Sequence, residues 1–307
     1  MRFIKNITPV LLFVFIISFH QRCTQTTFGQ RADSLFLVDQ NLAYTYNLKQ
    51  FDEKHFLPYV LEEISGLGLR TPTTVLAIDD ESGKVFEYDL EKRAIVHSIE
   101  FYKTDDYEGV ELAGDDVYVL KHDGDLFQFP YSAEKQAESI KYETALKKDN
   151  DTEGLGYDQA RNRLLIACKE EGSITEEKIF GRAFYAYDIT TKTLSAEPIF
   201  IVGPKELQAF WESVKERDYE IERIKFKPSA IATHPLTGDY YILSSVGKLL
   251  IVVEPSGSIK GTYPLSPRIL GQPEGLCFDP SGDMYISSEG EGDRGYILKF
   301  EMKKTGS

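Results

Sequence analysis

Three cysteines in 307 residues leave little scope for crosslinking. Cys168 and Cys277 fall in separate stretches, at different depths along their strands, so no disulfide is expected between them and both read as buried free thiols. Positive charge is scarce as well: 35 Lys and Arg against 49 Asp and Glu give a formal charge of −14. No basic stripe follows the N-terminal segment. That excludes a nucleic-acid partner, because holding phosphates requires clustered Lys and Arg. An acidic surface serves solubility or draws cations into an acidic cleft. Long apolar runs are missing too. The run from Ile7 to Phe19 is short for a spanning helix of about 20 residues. With Arg2 and Lys5 ahead of it, it has the parts of an export signal. Cys23 follows where a lipoprotein carries its acylated cysteine, although Gln21 and Arg22 stand where a lipobox has small residues. Cleavage, lipid attachment at Cys23 and an uncleaved anchor are the alternatives. Each makes the chain an exported one, periplasmic or anchored at the cell envelope, with membrane contact only through the N-terminus. Residues 1–30 are therefore set apart as signal or anchor with linker, and 31–303 are assigned to the fold.

What is present is a folded core: 42% of residues are hydrophobic, with 18 Tyr and 19 Phe, a composition that favours strands. One short pattern occurs five times, as Ser65-Gly66-Leu67, Glu108-Gly109-Val110, Glu153-Gly154-Leu155, Ser229-Ala230-Ile231 and Glu274-Gly275-Leu276. Each opens an apolar run followed about ten residues later by a second, such as Tyr118-Val119-Leu120. A unit recurring at about 45 residues is the mark of propeller blades. In the first unit, strands are expected at Gly66–Leu69, Thr74–Ile78, Lys84–Leu90 and Ala94–Phe101, joined by hairpin turns such as Glu81-Ser82-Gly83. The fifth unit has only three, Gly275–Phe278, Asp283–Ser287 and Gly295–Phe300, and the segment Leu42–Leu48 is the expected donor of its fourth. Closure from both termini leaves no open sheet edge. The expected fold is all-β: a five-bladed propeller of four-stranded antiparallel blades, closed by an N-terminal strand. The one irregular interval, 76 residues from Glu153 to Ser229, holds Pro204, Leu207, Phe210, Trp211 and Val214 at helical spacing. It predicts an inserted helix over 204–217 that packs on the propeller.

The stretches Glu62 to Leu67, Thr152 to Leu155, Lys227 to Pro235 and Gln272 to Leu276 resemble the SdiA-regulated (YjiK-like) family of bacterial β-propellers, over roughly Tyr46 to Phe300. The resemblance implies a five-bladed propeller, an exported or anchored location and a bound calcium ion. It implies no reaction. Ala230 stands where the family more often has glycine, a local packing difference.

In a propeller the first strand of each blade lines the channel, and the hairpin returns the end of the second strand to the same mouth. Strand-one openings place Ser65, Glu108, Glu153, Ser229 and Glu274 there, and strand-two ends place Asp80, His122, Lys169, Ser245 and Glu289. Glu63 faces the same way by alternation. Three carboxylates in one narrow channel repel, so either one keeps its proton or a cation neutralises them. Calcium suits oxygen donors, whereas zinc favours His and Cys. Glu108, Glu153 and Glu274 are the candidate metal ligands, with Glu63, Ser65, Ser229, Asp80, His122, Lys169 and Glu289 as further mouth residues. The bland alternative has the glutamates accept backbone hydrogen bonds with no metal at all. Asp79-Asp80-Glu81 and Asp149-Asn150-Asp151 read as turns, and neither has the spacing of an EF-hand loop. His234, before a Pro-bearing turn, reads as structural. Two functions compete: a calcium-binding module or scaffold that takes a small molecule or protein at the mouth, and a metal-dependent lactonase or phosphoesterase with Lys169 or His122 as acid–base group. No nucleophile–base pair is evident, and the binding module is favoured.

Overall fold

The structure, a computed structural model, describes residues 37–38, 42–132, 134–214 and 225–304. The export signal, Cys23 and the last residues of the expected helix lie outside them. Blade 1 consists of Ile64–Thr71, Thr74–Asp79, Lys84–Asp89 and Ala94–Glu100. Blade 2 follows with Tyr107–Ala113, Asp116–Lys121, Leu126–Pro130 and Ile140–Tyr142. Blade 3 has Thr152–Asp158, Arg163–Cys168 and Arg182–Asp188, then an outer strand in two pieces, Thr193–Leu194 and Phe200–Val202. Blade 4 is Lys227–Thr233, Tyr240–Val246, Leu249–Val253 and Ile259–Pro264, with the backbone of Leu37–Val38 added outside. Blade 5 is Pro273–Phe278, Met284–Ser288 and Tyr296–Phe300. Turn glycines such as Gly238 (φ 71°) and Gly257 (φ 90°) reverse the chain where a side chain would be strained. The first strands abut one another in blade order, and that of blade 5 returns to blade 1.

Ring closure differs in one respect from expectation. The fourth strand of blade 5 is Glu53–Phe56, paired antiparallel with Tyr296–Lys299, not Leu42–Leu48. Within the latter only Tyr44–Thr45 forms a strand, against Lys303–Lys304. Its apolar residues do a different job: Leu42, Tyr46 and Leu48 are buried over blades 4 and 5, among Tyr241, Phe278 and Met284. The Tyr46 hydroxyl donates to Gly282 O at 2.6 Å and lies 3.0 Å from His234 Nε2. His234 is fully buried, stacked on Tyr44 and Tyr241, which makes it structural as expected.

The core lies between blades, where facing sheets interdigitate. Ile64, Leu67, Val75 and Tyr88 of blade 1, for example, meet Cys277, Tyr285 and Ile297 of blade 5. Cys168 and Cys277 are buried free thiols. The inserted helix spans Pro204–Ser213, starting with Pro in its first turn. It buries Leu207, Phe210 and Trp211 against Phe200, Val202 and Phe226, so it seals the outer seam between blades 3 and 4.

Candidate functional site at the acidic mouth

Each of the five strand-one openings is a β-bulge. In blade 1, Ile64 pairs with Asp79 and Gly66 with Ile78, leaving Ser65 unpaired between them. The same slip isolates Glu108 between Tyr107 and Gly109, and Glu153 between Thr152 and Gly154. It recurs at Ser229 and at Glu274. A bulge bends the strand and re-aims the extra side chain. The repeated motif is therefore a device for turning one side chain per blade out of the pleat at the same mouth.

The backbone then brings the second column to that rim. The amides of His122, Lys169 and Glu289 donate to the carbonyls of Asp106, Asp151 and Gln272 at 3.1, 2.8 and 3.0 Å. Tyr107 N donates to Asp80 O, and Thr152 N to His122 O, stitching each blade to the next. Ser65 and Ser229 are spent on the same stitching: their hydroxyls donate to Tyr107 O and Pro273 O, both at 2.7 Å. Blades 1 and 4 thus close seams, while blades 2, 3 and 5 present carboxyls.

Those carboxyls form a continuous electrostatic set. Burial, then the charge of Glu153, holds Glu108 well above the carboxylate range. Burial raises Glu153 too, and Lys169 works against it. The Lys169 ammonium donates to Glu153 Oε1 at 2.5 Å. Burial alone would lower Lys169, but Glu153, Asp151 and Glu274 keep it firmly protonated. Glu153 has the Lys169 ammonium on it to oppose its burial, and Glu108 is the more strongly raised of the two. Glu274 is pushed up to about 8 by burial and by Glu153, with a hydrogen bond from Ser245 opposing. Glu289 rises to about 7 through burial and the charges of Asp80, Glu63 and Glu153. Asp80 rises to about 6 through burial, Glu63 and its other acidic neighbours. His122 Nδ1 lies 3.0 Å from Asp106 Oδ2. Around the rim the glutamates stand with Lys169 and Ser245, Glu63 and Glu289 act on Asp80, His122 lies beside Asp106 without a hydrogen bond at Nδ1, and the two serines close the seams.

Three further residues escaped sequence reasoning. Asp106 and Asp151 occupy the place in blades 2 and 3 that Glu63 occupies in blade 1, two residues before the bulge. Applying the Glu63 argument to every repeat would have found them. The third is Glu111, three residues further along the same strand than Glu108, whose counterparts are Gly68, Gly156, Ala232 and Cys277. It is 9% exposed, and burial pushes its carboxyl up to about 8 against hydrogen bonds from the Leu112 and Tyr157 amides.

The calcium ion expected from the resemblance needs six to eight oxygens around one point. Among the described residues no three His, Cys, Asp or Glu side chains gather as the shell of one ion. Lys169 engages Glu153 and burial holds Glu108 well above the carboxylate range, so the glutamates as arranged do not fit that ion. What they do fit is an ammonium, which the chain itself supplies.

A sequence profile of the SdiA-regulated family matches residues 40–292. No curated protein matches the chain. Among solved structures, glutaminyl cyclase from Myxococcus xanthus superposes with a TM-score of 0.53 at 12% identity, over 83% of this chain and 97% of that one. The PQQ-bound aldose sugar dehydrogenase from Streptomyces coelicolor gives 0.52 at 11%, over 85% and 98%. A gluconolactonase from Xanthomonas campestris gives 0.50 at 11%, over 78% and 72%. At such identities the likeness is one of fold.

Proposed function

The chain belongs to the SdiA-regulated family, and we propose that it acts as an exported binding module whose acidic mouth takes a cationic ligand that displaces Lys169 from Glu153. The observation that carries this reading is the set of five bulges, which turn Glu108, Glu153 and Glu274 into one mouth beside a second polar column. Export is part of the proposal and is supported by Arg2, Lys5, the run Ile7–Phe19 and Cys23. Because Lys169 must be displaced, calcium should bind in the range of extracellular modules, about 10⁻⁴–10⁻³ M. Calorimetric titration of calcium chloride into the wild type and a Glu108→Gln/Glu153→Gln/Glu274→Gln variant tests the site. Binding should vanish in the variant; equal affinity in both would remove the mouth as the site.

A second reading, a metal-dependent hydrolase of lactones or phosphoesters, is favoured by one observation. Burial and the charge of Glu153 push the Glu108 carboxyl up, while Lys169 restrains Glu153, so two neighbouring carboxyls are pushed apart in the way an acid and a base require. It requires turnover of a lactone or phosphoester that is lost with chelator and restored by calcium. An inactive panel counts against it.

A further inference from the structure

We infer that the outer seam between blades 3 and 4 holds a second binding site, for a small organic carboxylate with an apolar body. The site is a cavity of about 600 Å³. That size lies within the range of small-molecule pockets, about 300–1,000 Å³. Lys227, two residues before the bulge at Ser229, and Glu170, next after Lys169, set it on the same face as the mouth. It is nonetheless a separate place, since none of the five bulged residues lines it. Its floor is apolar, because Val202, Leu207 and Phe226 reach it from the core that the inserted helix seals. At its edge Phe180 is 79% exposed and Val246 36% exposed, so two large apolar side chains are left uncovered.

The charges of the lining point to an anion. Arg182, Lys225 and Lys227 stand against Glu170 and Glu171, which leaves one positive charge in the cavity of a chain whose formal charge is −14. Glu170 is already occupied, accepting from Lys227 Nζ at Oε1 and from Arg182 Nη1 at Oε2. Glu171 is exposed, so a cation gains no enclosed carboxylate here. Arg182 is held by the backbone of both blades: its Nε donates to Phe226 O at 3.1 Å and its Nη1 to Glu170 O at 2.6 Å. Among the described residues nothing bonds its Nη2 or the Lys225 ammonium. A guanidinium fixed in this way loses little freedom on binding, and its planar fork suits a carboxylate. One net positive charge matches one carboxylate, whereas a doubly charged phosphate would leave negative charge uncompensated in the seam. Arg182 thus orients the charged end, and the apolar floor with Phe180 covers the body of the ligand.

Calorimetric titration of octanoate and phenylpropionate into the full chain tests the site. Acetate serves as the carboxylate without an apolar body, phenylpropionamide as the body without charge, and phenyl phosphate as the dianion. Octanoate and phenylpropionate should bind the wild type, and acetate and the amide at least about tenfold more weakly. Arg182→Gln should weaken the two carboxylates at least about tenfold, through loss of a charge-assisted hydrogen bond. Should that variant fold poorly, Lys225→Glu and Phe180→Ala carry the test, because both positions are exposed. Each should weaken binding several-fold, the first by reversing a charge and the second by uncovering the ligand's body. Phenyl phosphate binding more tightly than phenylpropionate would make the carboxylate the wrong class. Failure of every probe to bind, or binding unchanged in all three variants, overturns the site.

Discussion

At the scale of single residues, the carboxyls of this chain divide by what surrounds them. Asp158 is fully buried, yet Arg161 and Arg163 each reach its Oδ2 at 3.1 Å and the Tyr240 hydroxyl donates to it, so its charge is stabilising structure. Glu111 is the opposite case: only two backbone amides offset its burial, and no cation is among the causes that set its pKa. Its carboxyl moves from the ordinary 4.5 in the unfolded chain to about 8 in the folded one. Between those values the folded state binds more protons, so stability falls as pH rises, and the loss is complete only above the folded value. The slope is at most about 1.4 kcal/mol per pH unit for one such group. Glu111→Gln should therefore match the wild type near pH 4.5 and melt higher than it at pH 8. Thermal unfolding followed by circular dichroism from pH 4.5 to 9 measures this. Parallel curves for the two proteins would show that Glu111 ionises in the folded state without cost.

At the scale of elements, strand identity was legible where apolar alternation and turn residues coincide, and illegible where a strand has little to bury. Glu53–Phe56 closes blade 5 from its outer edge, and of its four residues only His55 is buried. Nothing in Glu-Lys-His-Phe announces a strand. Leu42, Tyr46 and Leu48 do show an apolar pattern, but it serves packing over the ring rather than pairing. The mouth columns were legible because the repeat fixes position. The bulges were not, because an extra residue leaves no mark on composition, only on pairing. Nor could spacing show that Lys169 binds Glu153, since rotamers decide that contact. The two N-terminal segments separate in a truncation series. Among the described residues, removing 1–48 takes away three buried apolar side chains, Leu42, Tyr46 and Leu48, each worth about 1.5–3 kcal/mol, and should lower Tm while leaving one cooperative transition. Removing 1–56 also deletes the closing strand and exposes the edge of Tyr296–Phe300, so cooperative unfolding should be lost and self-association should appear. Calorimetry and light scattering distinguish the outcomes; a shorter chain that unfolds cooperatively as a monomer would show that the strand is dispensable.

At the scale of the whole molecule, the closed ring turns local contacts into a shared constraint. The first strands approach so closely around the axis that the motif's second position has little room for a side chain. A Cβ at Gly109 would lie 2.5 Å from Leu155 Cβ of blade 3, and one at Gly275 would lie 2.6 Å from Leu67 Cβ of blade 1. Gly109 and Gly275 each follow a mouth glutamate, so the packing that closes the ring also sets the aim of the site. Blade 4 has Ala230 at this place and keeps it buried, so that seam has room for one methyl. An open sheet could splay to admit another at Gly275, but a ring of five can do so only by shifting its neighbours. Gly275→Ala should therefore cost about 1–3 kcal/mol, the range for overpacking a filled core. It should lower Tm by several degrees and weaken calcium binding, because Glu274 moves with its seam. Ala230→Gly, which removes a methyl and adds backbone freedom, should cost no more than about 1 kcal/mol and leave binding alone. Thermal unfolding and calcium titration of the two variants side by side make the test. Equal small effects would mean that the seams are loose, and that the glutamates do not owe their placement to the closure of the ring.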